Sequence, residues 1–376
     1  MSPAETPKKR RPVEVSPHAP PFPDALPDGL LLRRKLGRGT YGAVFDARWD
    51  DQVYAVKVSR VQSPAHAASL DCEATVQREL FEGYRDAPVH LPVYHPFPAL
   101  YGYFQGQHDG HEARFAAMFR LQRFELAGGV PTMLAHVACV LHTLHAHTTL
   151  RFMHRDLHFD NVMQRRTKAF DVAWTADGVP STNAACFRRG RYVGPAGRRT
   201  NTSTLEYALV DFGMARLERR AAPRLVPDNA VYRRPHPFDP QHDLRILVLS
   251  LYDVLVADRA KGVERPAPRS ADAACVRALV HAARRTSPRF AAVTDLKVLT
   301  KIKRLVAGCA TEEDATATIE ALGARFGDVV DCYPNLWLDA WSSGKPPPLH
   351  HFVYGRAVGW GDTPVFAPEG VLARLK

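Results

Sequence analysis

The feature that most constrains the fold is a change of hydrophobic period near residue 128. Before it, apolar residues come in short runs broken by turn residues. After it, they recur at helical spacing. Leu31–Leu36, Ala43–Trp49 and Val53–Val58 are apolar, aromatic or β-branched runs, and Asp50-Asp51-Gln52 separates the last two as a tight turn. A helical stretch over Pro64–Arg85 follows, then strands over Leu100–Gln105 and Arg114–Leu121 joined through His108-Asp109-Gly110. This predicts a small antiparallel sheet with one main helix. Past Gly128-Gly129, the residues Leu134, Val137, Ala138, Leu141 and Leu144 form one apolar helical face. Beyond residue 240, Leu244–Val256, Ala271–Arg284, Val298–Val306 and Ala315–Phe326 read as helices. The expected architecture is α+β and bilobal, with a β-rich lobe over about 30–124 and a mostly helical lobe over about 125–345.

The ends and one insert fall outside this pattern. Residues 1–29 carry eight prolines and too few apolar side chains to offset their ordering entropy, which predicts a disordered tail. Within it, Pro7-Lys8-Lys9-Arg10-Arg11-Pro12 has the composition of a nuclear-import signal. Residues 165–204 read as an irregular insert, and Val162–Glu206 carries eight basic against three acidic residues. The stretch 346–376 lacks a clear period and reads as a tail wrapping the helical lobe.

The net charge is +11, and because the first 29 residues are neutral overall, the excess belongs to the folded region. It points to acidic partners: nucleotide phosphates, acidic peptides, nucleic acid or chromatin. Six cysteines without a CxxC spacing argue against a zinc ribbon or a disulfide scaffold and for reduced thiols, hence a nuclear or cytoplasmic setting. No apolar window is long enough for a membrane span, so no membrane association is expected.

Four motifs carry chemistry. Gly37-Arg38-Gly39-Thr40-Tyr41-Gly42-Ala43-Val44 lies between two strands, at a hairpin tip. Glycines there let backbone N–H groups approach phosphates without a Cβ in the way. Val53-Tyr54-Ala55-Val56-Lys57 places Ala55 and Lys57 on the strand face opposite Tyr54, Val56 and Val58. A lysine on such a face needs an anion beside it. His154-Arg155-Asp156-Leu157-His158-Phe159-Asp160-Asn161 offers Asp156 to accept a hydroxyl proton and Asn161 to ligate a metal. Asp211-Phe212-Gly213 ends an apolar run, with Asp211 placed to bind Mg²⁺. Each motif alone also has a plain structural explanation: a Gly-rich turn, a strand-edge lysine, a packed histidine, a turn-capping aspartate. The histidines His142, His145 and His147 read as an exposed helix face rather than a metal cluster, and Trp337, Trp341 and Trp360 as core anchors.

In this order and on these elements, the four motifs resemble the signature set of eukaryotic protein kinases over roughly residues 30–340. Leu150-Arg151-Phe152-Met153-His154-Arg155-Asp156-Leu157-His158 is similar to the catalytic loop of the haspin-like Ser/Thr kinases, with His158 where most kinases carry Lys. Arg216-Leu217-Glu218-Arg219 and Phe238-Asp239…His242-Asp243-Leu244-Arg245 also resemble that subfamily, and Asp243 would brace the catalytic-loop backbone. The resemblance implies an ATP- and Mg²⁺-dependent kinase acting on a protein substrate, as a monomer. Gly37, Arg38, Gly39, Thr40, Tyr41, Gly42, Val44, Ala55, Lys57 and Met163 would line the nucleotide site, with adenine against Phe119–Glu125. Lys57 would pair with a helix carboxylate, Glu79 by preference and Glu73 or Glu82 as alternatives. Asp156, Lys57 and Arg155 would be catalytic, and Asn161 and Asp211 would hold Mg²⁺.

There are departures. Haspin-like kinases usually carry Asp-Tyr-Thr where this chain has Asp211-Phe212-Gly213, and no Ala-Pro-Glu motif follows. Between Met214 and His242 there is no Ser or Thr, and Tyr232 is the lone phosphorylatable hydroxyl, so activity without activation-loop Ser/Thr phosphorylation is expected. The same segment is net basic, which disfavours a highly basic substrate such as a histone tail. The basic insert leaves contact with chromatin or nucleic acid open. Two rival readings are a kinase-fold small-molecule phosphotransferase and a pseudokinase scaffold. The first usually lacks the Arg155 and Phe212-Gly213 equivalents, the second one of Lys57, Asp156 and Asp211, and all are present here.

Overall fold

The computed structural model describes residues 24–38, 42–49, 51–85, 96–118, 120–123, 129–147, 150–166, 172–173, 191–194, 197–200, 205–219, 238–257, 270–330, 336–345, 347–353 and 364–375. The chain is α+β, with an N-terminal mixed sheet and a long helix followed by a mostly helical part. It divides into two compact units. One comprises the N-terminal residues to Ser63 together with Ala99–Arg120, and the other Pro64–Pro98 together with Leu121 onward.

The first unit is a six-stranded sheet of β1 (Asp24–Ala25), β2 (Leu31–Arg38), β3 (Gly42–Trp49), β4 (Gln52–Arg60), β5 (Leu100–His108) and β6 (His111–Met118), in the order β1-β5-β6-β4-β3-β2. The turns are where the sequence puts them. Asp51 (φ 59°) closes the β3–β4 hairpin, and Asp109 (φ 50°) with Gly110 (φ 74°) closes β5–β6. Alternation works as expected on β4, where Val56 and Val58 are buried with Ala47, Phe104, Ala113, Phe115 and Ala117, and Tyr54 packs against that cluster.

The sheet is not wholly antiparallel. β1 runs parallel to β5, and the Leu26 amide donates to the Gln105 carbonyl at 3.0 Å. Residues 24–29, read from the sequence as the end of a disordered tail, therefore belong to the fold, because Leu26 packs against the apolar cluster of the sheet. The Pro7–Pro12 basic run lies outside the described residues.

The second unit begins with α1 (Pro64–Arg85) and continues through β7 (Gln122–Arg123), α2 (Val130–His147), β8 (Leu150–Met153), β9 (Val162–Arg166), β10 (Val172–Ala173), β11 (Arg191–Gly194), β12 (Gly197–Thr200), β13 (Leu205–Leu209) and β14 (Arg216–Arg219). The helices α3 (His242–Tyr252), α4 (Ser270–Thr286), α5 (Pro288–Val293), α6 (Leu296–Ala307), α7 (Glu312–Val330), α8 (Leu336–Ser343) and α9 (Pro368–Arg374) complete it. Leu134, Val137, Ala138, Leu141 and Leu144 of α2 are all fully buried in the main core. Burial of each large aliphatic side chain among them is worth about 1.5–3 kcal/mol. α3 is buried over its whole length and is the central helix of this unit. Trp337 is a core anchor as expected, Trp341 packs against the core, and Trp360 lies outside the described residues.

Three short sheets tie distant segments together. β9 pairs with β13 and β7, β14 pairs with β8, and β10, β11 and β12 form a third sheet. That third sheet falls in the insert expected to be irregular. Its strands, Arg191-Tyr192-Val193-Gly194 and Gly197-Arg198-Arg199-Thr200, are too arginine-rich to show apolar alternation.

His142 and His145 are not an exposed face. The His142 Nδ1 atom meets the Glu369 carboxylate of α9, and the His145 Nε2 atom lies 3.0 Å from the Phe152 carbonyl. Among the described residues there is no cluster of His, Cys, Asp and Glu fit to hold a metal, and no helix is long and apolar enough to cross a membrane.

Candidate active site

The sheet arranges one set of predicted site residues in a row. Gly37 on β2 is opposite Val44 on β3, and Val44 is opposite Lys57 on β4. Directly opposed residues share a sheet face. Ala55, two residues before Lys57, lies on the same face, away from the buried Val56 and Val58. Arg38 is exposed at the end of β2. Gly39, Thr40 and Tyr41, at the hairpin tip, lie outside the described residues.

The two described glycines of this hairpin differ in what they do. A Cβ on Gly42 would lie 2.1 Å from the Val58 carbonyl oxygen, so the close approach of β3 to β4 needs a glycine there. A Cβ on Gly37 would meet nothing within 4 Å. Packing among the described residues gives no reason for glycine at 37.

The second set is in the other unit, at the loop between β8 and β9. Asp243, buried at the start of α3, accepts from the His154 amide through Oδ2 at 2.7 Å and from the Arg155 amide through Oδ1 at 2.8 Å. Burial pushes its carboxyl up to about 7, and the two amide hydrogen bonds pull the other way. With both oxygens accepting, the carboxylate form is the one the geometry suits. These bonds hold Arg155 at φ 64°, a conformation that costs a non-glycine residue of order 1–3 kcal/mol. The Ser250 hydroxyl, two turns further along the same face of α3, accepts from the Phe159 amide at 3.1 Å.

Asp156 follows the strained residue and is partly exposed. Its carbonyl accepts from the Asn161 side-chain amide at 2.8 Å and from the His158 amide at 2.8 Å. Asn161 Nδ2 also lies 3.4 Å from Asp156 Oδ2. Because the amide nitrogen of Asn161 is committed to Asp156, its Oδ1 is the atom left to accept or to ligate.

Asp211 is brought beside this loop by the β9–β13 ladder. Val162 pairs with Leu209, and the next bond joins the Val210 amide to the Asn161 carbonyl at 3.0 Å. The other side of the same peptide is held too, since His154 Nε2 lies 2.9 Å from the Val210 carbonyl. Burial drives the His154 imidazole down to about 4, so at neutral pH it is uncharged and donates from Nε2. Asp211 then turns at φ 67° and exposes its side chain, while Phe212 is fully buried against Phe97, Phe152 and His154, with ring centroids 6.1, 6.3 and 5.4 Å away. Arg155 Nε donates to the Met214 carbonyl at 2.5 Å, and β14 pairs with β8 just beyond.

The α1 carboxylates differ in setting. Glu79 is buried, and Glu73 and Glu82 are partly exposed. Glu73 reaches the Asp211-Phe212-Gly213 turn, where a Cβ on Gly213 would lie 3.4 Å from Glu73 Oε2 and 3.7 Å from Asp211 Oδ1. Met163 is partly exposed on β9, opposite Arg123 and Ala208. Of the expected adenine segment, Phe119, Phe124 and Glu125 lie outside the described residues.

Sequence reasoning did not find the Val210 and Met214 carbonyls or Ser250. The first two act through backbone atoms that any residue could supply, and the third has no motif.

The donor set around Asn161 and Asp211 suits Mg²⁺. That ion takes one or two protein oxygens and draws the rest of its shell from phosphates and water. No family model matches the chain.

Proposed function

We propose that this protein is a protein kinase that transfers the γ-phosphoryl group of Mg-ATP to a Ser or Thr hydroxyl of a protein. The observation that carries the reading is the joining of two loops at Asn161. Its side chain holds the Asp156 carbonyl, and its own carbonyl holds Val210, so Asp156, Asn161 and Asp211 share one end of the β9–β13 ladder.

In this reading Asp156 orients the acceptor hydroxyl and takes its proton as the oxygen attacks phosphorus. Asn161 Oδ1 and the Asp211 carboxylate would hold Mg²⁺, which when bound would neutralise phosphate charge. Lys57 and the backbone at Gly37 are the groups that the kinase resemblance assigns to the α- and β-phosphates. The helix carboxylate of the nucleotide site is assigned to Glu73 rather than Glu79, because Glu73 is the one at the Asp211 turn. Glu73→Gln then weakens Mg-ATP binding more than Glu79→Gln does, and the reverse order refutes the assignment.

The haspin-like subfamily is the finer proposal, resting on the Leu150–His158 run. Activity without activation-loop phosphorylation is supported by Arg155, whose Nε is already engaged by the Met214 carbonyl. The test is transfer of labelled γ-phosphate to a panel of acidic proteins, basic proteins, a histone tail and the enzyme itself. Label on Ser or Thr of a protein supports the reading. Bound Mg-ATP with no labelled protein contradicts it and favours a small-molecule acceptor or a pseudokinase.

A further inference from the structure

The loop carrying Asp156 is held from one side by α3, through Asp243 and Ser250. A second element touches it. His158 sits between Asp156 and Asn161 in the bonding scheme: its amide donates to the Asp156 carbonyl at 2.8 Å, and its carbonyl accepts from the Asn161 amide at 2.9 Å. Its Nδ1 accepts from the Asp160 amide at 3.3 Å, and its Nε2 lies 3.9 Å from Asp156 Oδ2. Any displacement of His158 therefore moves both neighbours.

The imidazole of His158 packs on the imidazole of His350, with centroids 5.3 Å apart and planes inclined by 33°. His350 belongs to the one-turn segment Leu349–Val353, and His351 meets it edge-on at 4.6 Å. The segment is anchored in the core: Leu349, Phe352 and Val353 are buried, and Phe352 lies 5.9 Å from the Trp337 ring. It packs along α3, the helix that supplies Asp243 and Ser250.

We infer that Leu349–Val353 is a clamp on the catalytic loop, in which His350 is a positioning residue that holds His158 and through it Asp156 and Asn161. The catalytic consequence rests on the kinase reading, and the clamp itself does not. The segment lies in the stretch whose sequence shows no period, so only the fold reveals its contact with the loop.

The test compares full-length wild type, His350→Ala and His350→Phe, each verified as folded by circular dichroism. Amide hydrogen exchange is read across residues 154–161 and across α2 and α3, and turnover is read at saturating Mg-ATP. In His350→Ala, exchange in 154–161 is expected to rise roughly tenfold while α2 and α3 keep their protection. Turnover is expected to fall roughly tenfold or more, with the KM for ATP within about twofold of wild type. His350→Phe keeps a ring and is expected to restore both. Unchanged exchange in His350→Ala overturns the clamp, and so does a rise spread evenly over α2 and α3. If wild type transfers no phosphate, the kinase reading fails alone, and the exchange contrast between the two variants still decides the clamp.

Discussion

Arg155 and Asp211 carry left-handed backbones on either side of the candidate metal site, and both are held by groups outside their own loops. Asp243 secures the first, and the doubly bonded Val210 peptide positions the second. Replacing Asp243 with Ala removes the acceptor of two buried amides. The expected loss is about 2–5 kcal/mol, read as a lower denaturation midpoint, together with loss of turnover. An Asp243→Ala protein of wild-type stability would contradict the bracing role. The glycines of the first hairpin separate in the same way. Gly42→Ala drives a methyl into the Val58 carbonyl and is expected to destabilise by about 1–3 kcal/mol. Gly37→Ala meets open space, so stability stays at the wild-type value while the affinity for Mg-ATP falls roughly tenfold. Equal effects of the two on a melting curve would show that Gly37 is a folding residue.

The elements were unevenly legible. The helix expected over Pro64–Arg85 and the strands around Lys57 follow from local period, because neighbours in sequence decide them. The pairing of β8 with β14, the docking of β1 and the contact between α2 and α9 do not, because their partners are remote. His142 and Glu369 meet across most of the chain, and neither side carries a mark of the other. The buried histidines give a pH dependence whose sign is fixed. The folded-state value for His154 is about 4, as it is for His136, below the ordinary 6.5 of the unfolded chain. Their contribution to stability is therefore complete above pH 6.5 and is lost as pH falls from 6.5 towards 4, with a limiting slope of about 1.4 kcal/mol per pH unit for each histidine. The Glu369 carboxyl is lowered by its bond to His142, so that contribution is present above its unfolded value and is lost as pH falls through the folded one. The Asp243 carboxyl, pushed up to about 7 by burial, acts in the opposite sense over the same range, so the check is a difference. The urea midpoint of wild type minus that of His136→Phe, measured between pH 7.5 and 4.5, falls on acidification, and a difference that rises would contradict the assignment.

At the scale of the molecule, the change of period near residue 128 correctly announces a sheet followed by helices, since it reports how each stretch buries its apolar side chains. It does not announce that α1 groups by its contacts with the helical unit, because a helix face does not name its partner. Of the candidate site, the charged residues were legible from motif order, whereas the atoms that fix them were not. If Asp156 orients the acceptor hydroxyl and takes its proton, as proposed, its loss spares Mg-ATP binding and slows phosphoryl transfer. The most direct test measures Mg-ATP binding and single-turnover phosphoryl transfer on the same samples of wild type and Asp156→Asn, made in a host without protein kinases. Equal binding and a transfer rate about 10²–10⁴-fold lower in the variant are expected. Equal transfer by the two proteins would contradict the proposed role of Asp156.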